Sequence, residues 1–313
     1  MKNVAVIDCG SNSFRLLIAS ISDFTMEELY RSHIMVRLGE SLTKDQGKIE
    51  QTTKTRAINA LREFSMRISE HNCSDYFCLG TSALRTAYKA KEFIEEAYMK
   101  TGLLIEIISE EDEALYSYLG AKQNDDDHSS AVLDIGGGST EIIYYHQEKL
   151  RSASVLLGAA RLKSSFWPEK LTPTKEEIKD AREYIHSVWC KQNIASSAIT
   201  AAVGVAGTIT TLASIEKQLE VYSANEINNT ILTYNMINNV LSYIMQLDEE
   251  DRFLLKGMIP PQRANNIIAG ILILLETMKY FKLDKIKVRS TCLLEGVIIR
   301  KFLKNSIDNN ISL

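Results

Sequence analysis

The chain has 313 residues, 45% of them hydrophobic, and its 36 basic and 40 acidic residues give a formal net charge of −4. This length and composition can form a core in each of two domains and exclude general disorder. The charge excludes broad affinity for nucleic acid or anionic membranes, because no basic face could drive counterion release. A polyanionic ligand would have to be bound locally, and arginine binds phosphate oxygens bidentately. The candidates are Arg15, Arg37, Arg85 and Arg263.

Cysteine usage and hydropathy bear on the location of the protein. The five cysteines form no CxxC pair and leave one over, which is typical of a reducing compartment. The longest apolar run, Ile267 to Leu275, is far shorter than the roughly 18 residues that a membrane span needs. The sequence therefore predicts a soluble, cytoplasmic protein without a membrane or nucleic-acid partner.

The first half of the chain alternates between predicted strands and helices. An apolar run ends at Asp8, small residues form a turn, and a second apolar run starts at Phe14, which predicts a β-hairpin. Ser109 precedes four acidic residues and is the expected N-cap of a helix. The alternation predicts an α/β sheet. The other expected elements are a strand over 27–38, a helix over 52–70, a strand over 75–79, a helix near 91–100 and a strand over 104–108.

The second half follows a polar run without apolar periodicity, Gln123 to Ser130, which is the expected linker. A second hairpin comes next. A helix then starts either at Thr174, which matches a capping box with Glu177, or at Thr172 with Pro173 in the first helical position. The later expected elements are a strand over 152–157, a strand over 201–205, a helix after Ala206-Gly207-Thr208, a long helix over 263–280, a strand over 285–288 and a closing helix over 293–303.

These elements predict two domains, residues 1–122 and residues 123–313. The last helix, about 299–313, is a candidate for packing back on the first domain. Both domains contain a hairpin of the same design, because Val4 to Ser13 has the sequence VAVIDCGSNS and Ser130 to Ser139 has the sequence SAVLDIGGGS. A repeat at this spacing is typical of a duplicated domain, since solenoid periods are on the order of 20 to 50 residues.

The hairpin turns have a composition that suits phosphate. Glycine lets backbone N–H groups approach an anion, and an aspartate at the end of a strand can hold a hydrated Mg²⁺. One such turn alone is usually only a hairpin turn, because these residue types are favoured there for backbone reasons. Two of them facing across a cleft would bind a phosphate chain.

Longer strings carry a family resemblance, above all DIGGGSTE over Asp134 to Glu141, which is far more specific than a bare Asp-x-Gly. The sequence resembles the exopolyphosphatase and guanosine-pentaphosphate phosphatase (Ppx/GppA) family, a branch of the actin, heat-shock chaperone and sugar-kinase superfold. The matching strings are Ile7 to Leu16, Gly80 to Arg85, Ile107 to Ser109 with Glu113 and Ala114, Leu133 to Glu141, Leu157 to Leu162, Gly207 and Thr208 with Thr211 to Ala213, and Pro260 and Pro261 with Arg263 and Ala264.

The resemblance implies an α/β fold of two ribonuclease-H-like (actin-like ATPase) domains with an active-site cleft between them. It implies Mg²⁺-dependent release of terminal orthophosphate from inorganic polyphosphate, with guanosine pentaphosphate as a second candidate substrate and a homodimer as a candidate assembly. Residue chemistry agrees, because such hydrolysis needs a carboxylate to orient water and donors to neutralise the equatorial phosphate oxygens.

The resemblance also implies a role for individual residues. Glu113 is the expected base and Arg85 the expected contact to the scissile phosphate; without the resemblance they would be a helix-start acid and a surface ion-pair residue. Asp8, Asp134 and Glu141 are the expected Mg²⁺ ligands, because hard oxygen ligands suit this ion. The expected phosphate-binding residues are Ser11, Asn12, Ser13, Arg15, Gly136, Gly137, Gly138, Ser139, Thr140, Gly207, Thr208 and Arg263.

The sequence departs from the family pattern near its C-terminus. The family usually has Gly-Leu-Arg-Glu-Gly, and here Cys292 and Leu294 replace the glycine and the arginine. We therefore expect weaker substrate binding from that side. Milder departures are Asp112, Ala206 and Asn265, where the family commonly has Glu, Gly and Asp.

Two other functions remain open on the sequence. An ATP-dependent kinase or ATPase of the same superfold is suggested by Gly204 to Thr208, which lie where such proteins contact the nucleotide, and is opposed by the match at Glu113. A non-catalytic sensor of polyphosphate or of a guanosine alarmone is suggested by Cys292 and Leu294. Release of orthophosphate from polyphosphate or guanosine pentaphosphate separates the hydrolase from both, because a kinase or ATPase acts on ATP and a sensor binds without turnover.

Overall fold

The computed structural model of the chain describes residues 1–22, 25–39, 47–122, 130–147, 149–192, 194, 197 and 199–303. The chain divides into two compact units, Met1–Gly120 with Leu293–Leu313, and Ala121–Cys292. The closing helix differs from the expectation, because it belongs to the first unit from Leu293 onward instead of from about residue 299. Most of the expected linker, residues 123–129, lies outside the described residues.

The first unit contains a five-stranded sheet with the order β3-β2-β1-β4-β5. The hairpin turn makes β1 and β2 antiparallel, and β3 is antiparallel to β2. A helical crossover precedes β4, which is parallel to β1, and β5 is parallel to β4. The elements are β1 Lys2–Cys9, β2 Ser13–Ile21, β3 Met26–Met35, α1 Gln51–Glu70, β4 Asp75–Gly80, α2 Ser82–Thr86, α3 Ala90–Thr101, β5 Ile105–Ile107 and α4 Glu110–Ala121.

Both faces of this sheet are covered, which explains why β1 is apolar at almost every position. Successive strand residues point to opposite faces. Ala5 and Ile7 belong to an apolar cluster with α1, α2 and α3, whereas Val4 and Val6 belong to a second cluster with α4 and the closing helix. The closing helix, Leu293–Phe302, is therefore part of the core of the first unit.

The second unit contains a six-stranded sheet with the order β10-β11-β9-β6-β7-β8. Its strand β6 is antiparallel to β7 and parallel to β9, as β1 is to β2 and β4. The elements are β6 Ser130–Ile135, β7 Thr140–His146, β8 Lys149–Val155, α5 Ala159–Phe166, α6 Lys175–Cys190, β9 Ala201–Val205, α7 Ala206–Glu216, α8 Ala224–Ile227, β10 Ile231–Thr233, α9 Tyr234–Ile244, α10 Glu249–Leu254, a 3₁₀ helix Pro261–Asn265, α11 Ile267–Phe281 and β11 Lys285–Val288, and the closing helix is α12.

The helix boundaries decide one open point and correct one expectation. Thr174 is the N-cap of α6, and its capping box with Glu177 is complete. The long apolar helix starts at Ile267 and not at Arg263, because Pro260 and Pro261 lead into a 3₁₀ helix first. Nearly all of α11 is buried in the core of the second unit. None of the described helices is both long and apolar enough to cross a bilayer.

The two sheets share one arrangement, because β8-β7-β6-β9-β11 repeats β3-β2-β1-β4-β5. In each, three antiparallel strands are followed by parallel ones, which is the ribonuclease-H-like order that the family resemblance implies. The predicted α/β class with two such units is confirmed. The predicted cleft between them stays a prediction.

Candidate active site

The two hairpin turns are built by the same hydrogen bond. The N–H of Gly10 donates to the carbonyl of Ser13 at 3.2 Å, and the N–H of Gly136 donates to the carbonyl of Ser139 at 3.0 Å. A Cβ atom at Gly10 would lie 3.0 Å from the Ser13 carbonyl oxygen, which is tighter than side chains normally tolerate. The Asp-x-Gly repeat therefore encodes a tight turn at the same place in both sheets.

The carbonyl groups of the second turn are taken by the first turn of α5. The N–H of Ala159 donates to Gly136, and those of Ala160 and Arg161 donate to Gly137, at 2.9 to 3.0 Å. These are N–H groups that a helix start leaves without intrahelical partners. Because a trans peptide places its N–H opposite its C=O, the N–H groups of Gly137 and Gly138 face away from α5.

The third carbonyl of this turn is bound by a side chain. Nε of Arg161 donates to the carbonyl of Gly138 at 3.0 Å, which directs the N–H of Ser139 away from α5 in the same way. Gly158 makes this arrangement possible, because a Cβ there would overlap the backbone of Gly137 and Gly138. Three successive N–H groups facing one side form an anion-binding concavity.

The first turn has the same support from a different segment. The carbonyl of Ser11 accepts from the N–H of Gly39 at 2.7 Å, and the carbonyl of Asn12 accepts from Val36 at 3.0 Å and Arg37 at 2.8 Å. These donors follow β3, just as α5 follows β8. The N–H groups of Asn12 and Ser13 consequently face away from residues 36–39. Arg37 therefore contributes its backbone, in a left-handed conformation with φ of 59°.

The two turns differ in charge at the position opposite the aspartate. In the first, Arg15 lies opposite Asp8, and its Nε and Nη2 donate to Oδ2 of Asp8 at 2.9 and 2.5 Å. In the second, Glu141 lies opposite Asp134. Burial, with the nearby Asp134 charge, raises the pKa of Glu141 to about 7, although hydrogen bonds from Ser139 and Ser154 oppose the shift. The second turn thus sets two carboxylates opposite each other, whereas the first sets a carboxylate opposite a guanidinium.

Asp8 is itself buried, with 2% of its surface exposed. Its Oδ1 atom has no hydrogen-bond partner among the residues that the structure describes. A buried carboxylate oxygen without a partner is costly, so it is a position where water or an ion is expected to bind.

The predicted base and the predicted arginine are in direct contact. Nη1 of Arg85, at the end of α2, donates to Oε2 of Glu113 at 2.8 Å and to the carbonyl of Ile108 at 3.0 Å. Ser109 caps α4 as expected, since its Oγ accepts from the N–H of Asp112 at 3.0 Å. Glu113 retains 31% exposure of its side chain, against 19% for Arg85. The carboxylate is thus fixed by an arginine while still accessible to solvent.

A third turn joins β9 to α7 and contacts Arg263. Gly207 is in the first turn of α7, and a Cβ at this glycine would overlap the guanidinium of Arg263. Desolvation by burial lowers the pKa of Arg263. The structure therefore brings Gly207 and Arg263 together and places Thr208 in the interior, where it packs against Gly270.

Ala206 in this turn has φ of 65°, a left-handed conformation that costs an L-residue about 1–2 kcal/mol. We expect Ala206→Gly to raise the free energy of unfolding by about 0.5–1 kcal/mol, because glycine relieves the strain but loses more chain entropy. Chemical denaturation would measure the change. Ala213→Gly, inside α7, is the matched control and is expected to lose about 1 kcal/mol. Equal losses in both variants would contradict the interpretation.

The side chain of Thr140 differs from its expected place at the turn, and the structure locates the two residues that depart from the family pattern near the C-terminus. Thr140 is fully buried and its hydroxyl donates to the carbonyl of Leu157, so this hydroxyl supports the sheet and is not directed into the turn. Leu294, which replaces a family arginine, is buried in the second apolar cluster of the first unit. Cys292 is half-buried.

The sequence interpretation gave no role to several residues that build the turns. The side chains are Ser154, whose Oγ donates to Oε1 of Glu141 at 2.7 Å, and Arg161. Gly158 and residues 36–39 act through their backbone. The sequence marked the segment that contains α5, because Leu157 to Leu162 match the family pattern. No sequence pattern connects residues 36–39 with the first hairpin turn.

Two ribonuclease-H-like units with matching turns define a chain of the actin-like ATPase fold class. The sequence model of the Ppx/GppA phosphatase family matches residues 17–305, and the chain belongs to this family. The recognition from the sequence and the enzyme class that it implied, a phosphatase of this family, are confirmed.

Individual relatives agree with the family assignment. A bifunctional 3-dehydroquinate synthase/phosphatase of Fusobacterium nucleatum is 31% identical over 314 residues, which cover 94% of this chain and 46% of that protein, so the chain spans about half of its length. Exopolyphosphatase 2 of Mycobacterium tuberculosis is 26% identical over 96% of this chain and 98% of its own. The crystal structure of an Aquifex aeolicus member of the Ppx/GppA family is 31% identical, with a TM-score of 0.84 over 97% of this chain and 99% of its own.

Proposed function

We propose that this chain hydrolyses the terminal phosphoanhydride bond of inorganic polyphosphate and releases orthophosphate, with Mg²⁺ as cofactor. Guanosine pentaphosphate is a second substrate of the same chemistry. The observation that carries the proposal is the turn over Gly136 to Ser139. Its carbonyls at Gly136, Gly137 and Gly138 all accept hydrogen bonds from α5, so the following three N–H groups face the opposite side. The similarity of the chain to mycobacterial exopolyphosphatases supports polyphosphate as the class of substrate.

Phosphate oxygens would be bound mainly by backbone groups. The N–H groups of Gly137, Gly138 and Ser139 suit one phosphate, and those of Asn12 and Ser13 suit another, because oriented amides bind anions without a change in their own charge. Arg263 at the α7 turn adds a cation, and the Ser11 and Asn12 side chains are exposed beside the first turn. Backbone recognition of this kind is insensitive to what is attached to the far end of the chain.

The residues of the second turn fit Mg²⁺. The described parts of the chain contain no group of three or more His, Cys, Asp or Glu side chains that could hold a metal. Mg²⁺ is usually bound by one or two carboxylates together with water and substrate phosphate, so Asp134 and Glu141 meet its needs. Asp8 offers Oδ1, while its Oδ2 is already paired with Arg15. When bound, the ion would neutralise charge on the phosphate oxygens.

Glu113 would act as the general base. It would accept a proton from the attacking water as the water oxygen forms a bond to the terminal phosphorus. The phosphoanhydride P–O bond breaks, and the shortened chain leaves with the electron pair. Arg85 fixes Oε2 of Glu113 and places a positive charge near the equatorial oxygens, where negative charge accumulates in the transition state.

Orthophosphate release from four substrates tests the proposal. Long-chain polyphosphate, tripolyphosphate, guanosine pentaphosphate and ATP would be compared with Mg²⁺ and then with chelator. Chelator-sensitive release from polyphosphate or the pentaphosphate is the expected result. Saturable hydrolysis of ATP, or transfer of its phosphate to an acceptor, would favour the ATPase or the kinase, and binding without release would favour the sensor.

The pKa of Glu141 predicts how Mg²⁺ binding depends on pH. This pKa lies at about 7, above its ordinary value of 4.5, so the folded chain holds the proton more tightly than the unfolded chain. Stability without metal should therefore fall as pH rises from about 4.5 to 7. Mg²⁺ must displace this proton, so it should raise the melting temperature by a few degrees at pH 8 and by much less at pH 5.5.

Thermal unfolding with and without Mg²⁺ at the two pH values would measure this effect. Glu141→Gln is the control, because it removes both the titrating group and a ligand, and it should abolish the dependence on pH. A shift of equal size at both pH values in the wild type would contradict the assignment of Glu141.

A further inference from the structure

The Gly136 to Ser139 turn depends on a residue that has no role in the proposed chemistry. Arg161 lies in the first turn of α5, where its side chain is exposed. Its backbone N–H donates to the carbonyl of Gly137 at 3.0 Å, and its Nε donates to the carbonyl of Gly138 at 3.0 Å. One residue therefore binds two successive carbonyls of the turn.

The bond from Nε differs from the other bonds to this turn. Gly136 and Gly137 are bound by backbone N–H groups of α5, which any residue at those positions would supply. The carbonyl of Gly138 instead accepts from the side chain of Arg161, whose backbone N–H donates to Gly137. The orientation of the peptide between Gly138 and Ser139 thus depends on the identity of residue 161.

Sterics give this peptide little additional restraint. Gly138 is exposed, and a Cβ built on it would meet no atom within 4 Å. Glycine also has the widest choice of backbone conformations. Without a bond to its carbonyl, the peptide could rotate and turn the N–H of Ser139 away from the side that the N–H groups of Gly137 and Gly138 face.

We propose that Arg161 is a positioning residue for phosphate binding, which fixes the N–H of Ser139 towards the substrate by holding the carbonyl of Gly138. It acts through the turn, not by contact with the substrate. The proposal deepens the proposed function and rests on it.

Three substitutions separate positioning from a direct effect of charge. In Arg161→Gln, Nε2 of the amide takes the place of Nε of the arginine in the side chain, so the donor to Gly138 stays while the charge is lost. In Arg161→Lys the charge stays, but a methylene group replaces the Nε donor. Arg161→Ala removes both. Arg151→Ala is the matched control, because Arg151 is an exposed arginine on β8.

Affinity for tripolyphosphate would be measured by calorimetry in chelator, and KM and kcat in Mg²⁺. We expect Arg161→Ala and Arg161→Lys to bind about tenfold to a hundredfold more weakly, because a donor to a charged oxygen is lost. Arg161→Gln should stay within about threefold of the wild type, as should Arg151→Ala. KM should rise more than kcat falls. Amide hydrogen exchange over residues 137–139 of the substrate-free protein should speed up in the Ala and Lys variants only.

Full affinity in Arg161→Ala, or affinity kept in Arg161→Lys and lost in Arg161→Gln, would overturn the positioning role. The second pattern would show that the charge itself contacts the phosphate. A wild type that binds no tripolyphosphate and releases no orthophosphate from polyphosphate or guanosine pentaphosphate would overturn the proposed function instead, and the exchange measurement would still report whether Arg161 orders the turn.

Discussion

Glu113→Gln is expected to lower orthophosphate release from polyphosphate by about a hundredfold to ten-thousandfold, because the amide cannot accept a proton from the attacking water. In the wild type, Nη1 of Arg85 lies 2.8 Å from Oε2 of Glu113. The substitution keeps the size of the side chain and an oxygen that can accept the same hydrogen bond. Substrate affinity and the melting temperature should therefore change little. Initial rates, calorimetric binding and thermal unfolding would measure the three quantities.

Glu110→Gln is the matched control for this experiment. Glu110 lies one turn earlier in α4, its side chain is 81% exposed, and its Oε1 is 3.9 Å from Nη2 of Arg85. Its substitution removes one charge near the same arginine but no base, so the rate should stay within about twofold. Full activity in Glu113→Gln, or equal losses in both variants, would show that Glu113 only forms an ion pair.

Gly158→Ala is expected to raise KM for polyphosphate strongly and to cost about 1–3 kcal/mol of stability. A Cβ at this position would overlap the backbone of Gly137 and Gly138, so α5 and the turn would have to separate. Separation would break the bonds from Ala159 and Ala160 that orient the amides of the turn. Kinetics and chemical denaturation of the purified variant would measure both effects.

Gly204→Ala is the control for a methyl group added to the second unit. The three atoms nearest to its Cβ would be side-chain atoms of Ile209 and Ile286, which can move. We therefore expect a loss of stability of similar size without a change in KM. A Gly158→Ala variant that loses stability but keeps its KM would show that the turn does not bind substrate.

The sequence predicted those parts of the fold and the candidate site that depend on local patterns. The repeated Asp-x-Gly turns and the alternation of strands and helices follow from short-range periodicity and glycine placement, and the ribonuclease-H-like arrangement followed from the family resemblance. The start of α6 could not be decided locally, because Thr172 and Thr174 both match good caps and only the packed structure selects Thr174. The start of α11 depends on how Pro260 and Pro261 continue into a 3₁₀ helix.

The supports of the site could not be predicted, because they are tertiary contacts between segments without sequence likeness. Residues 36–39 donate N–H groups to the carbonyls of the first hairpin turn, and the first turn of α5 does the same for the second. The first segment is a short connection and the second is a helix. Thr140 was expected at the turn, but its place in the register of β7 directs the hydroxyl to Leu157. The opposite charges of Arg15 and Glu141 can be read from the sequence. Their effect on the two turns could be inferred only from the strand register, which sets Arg15 opposite Asp8 and Glu141 opposite Asp134.

The position of α12 in the first unit has a consequence for synthesis of the chain. One face of the first sheet, with Val4 and Val6, is covered by Leu293 and Val297 of α12. The ribosome makes these residues only after the whole second unit, Ala121–Cys292, has emerged. The second unit is continuous and can fold first, whereas the unit that begins the chain must wait with an uncovered apolar face. We therefore expect the core of the first unit to be completed after that of the second unit, against the usual N-to-C order of domain folding.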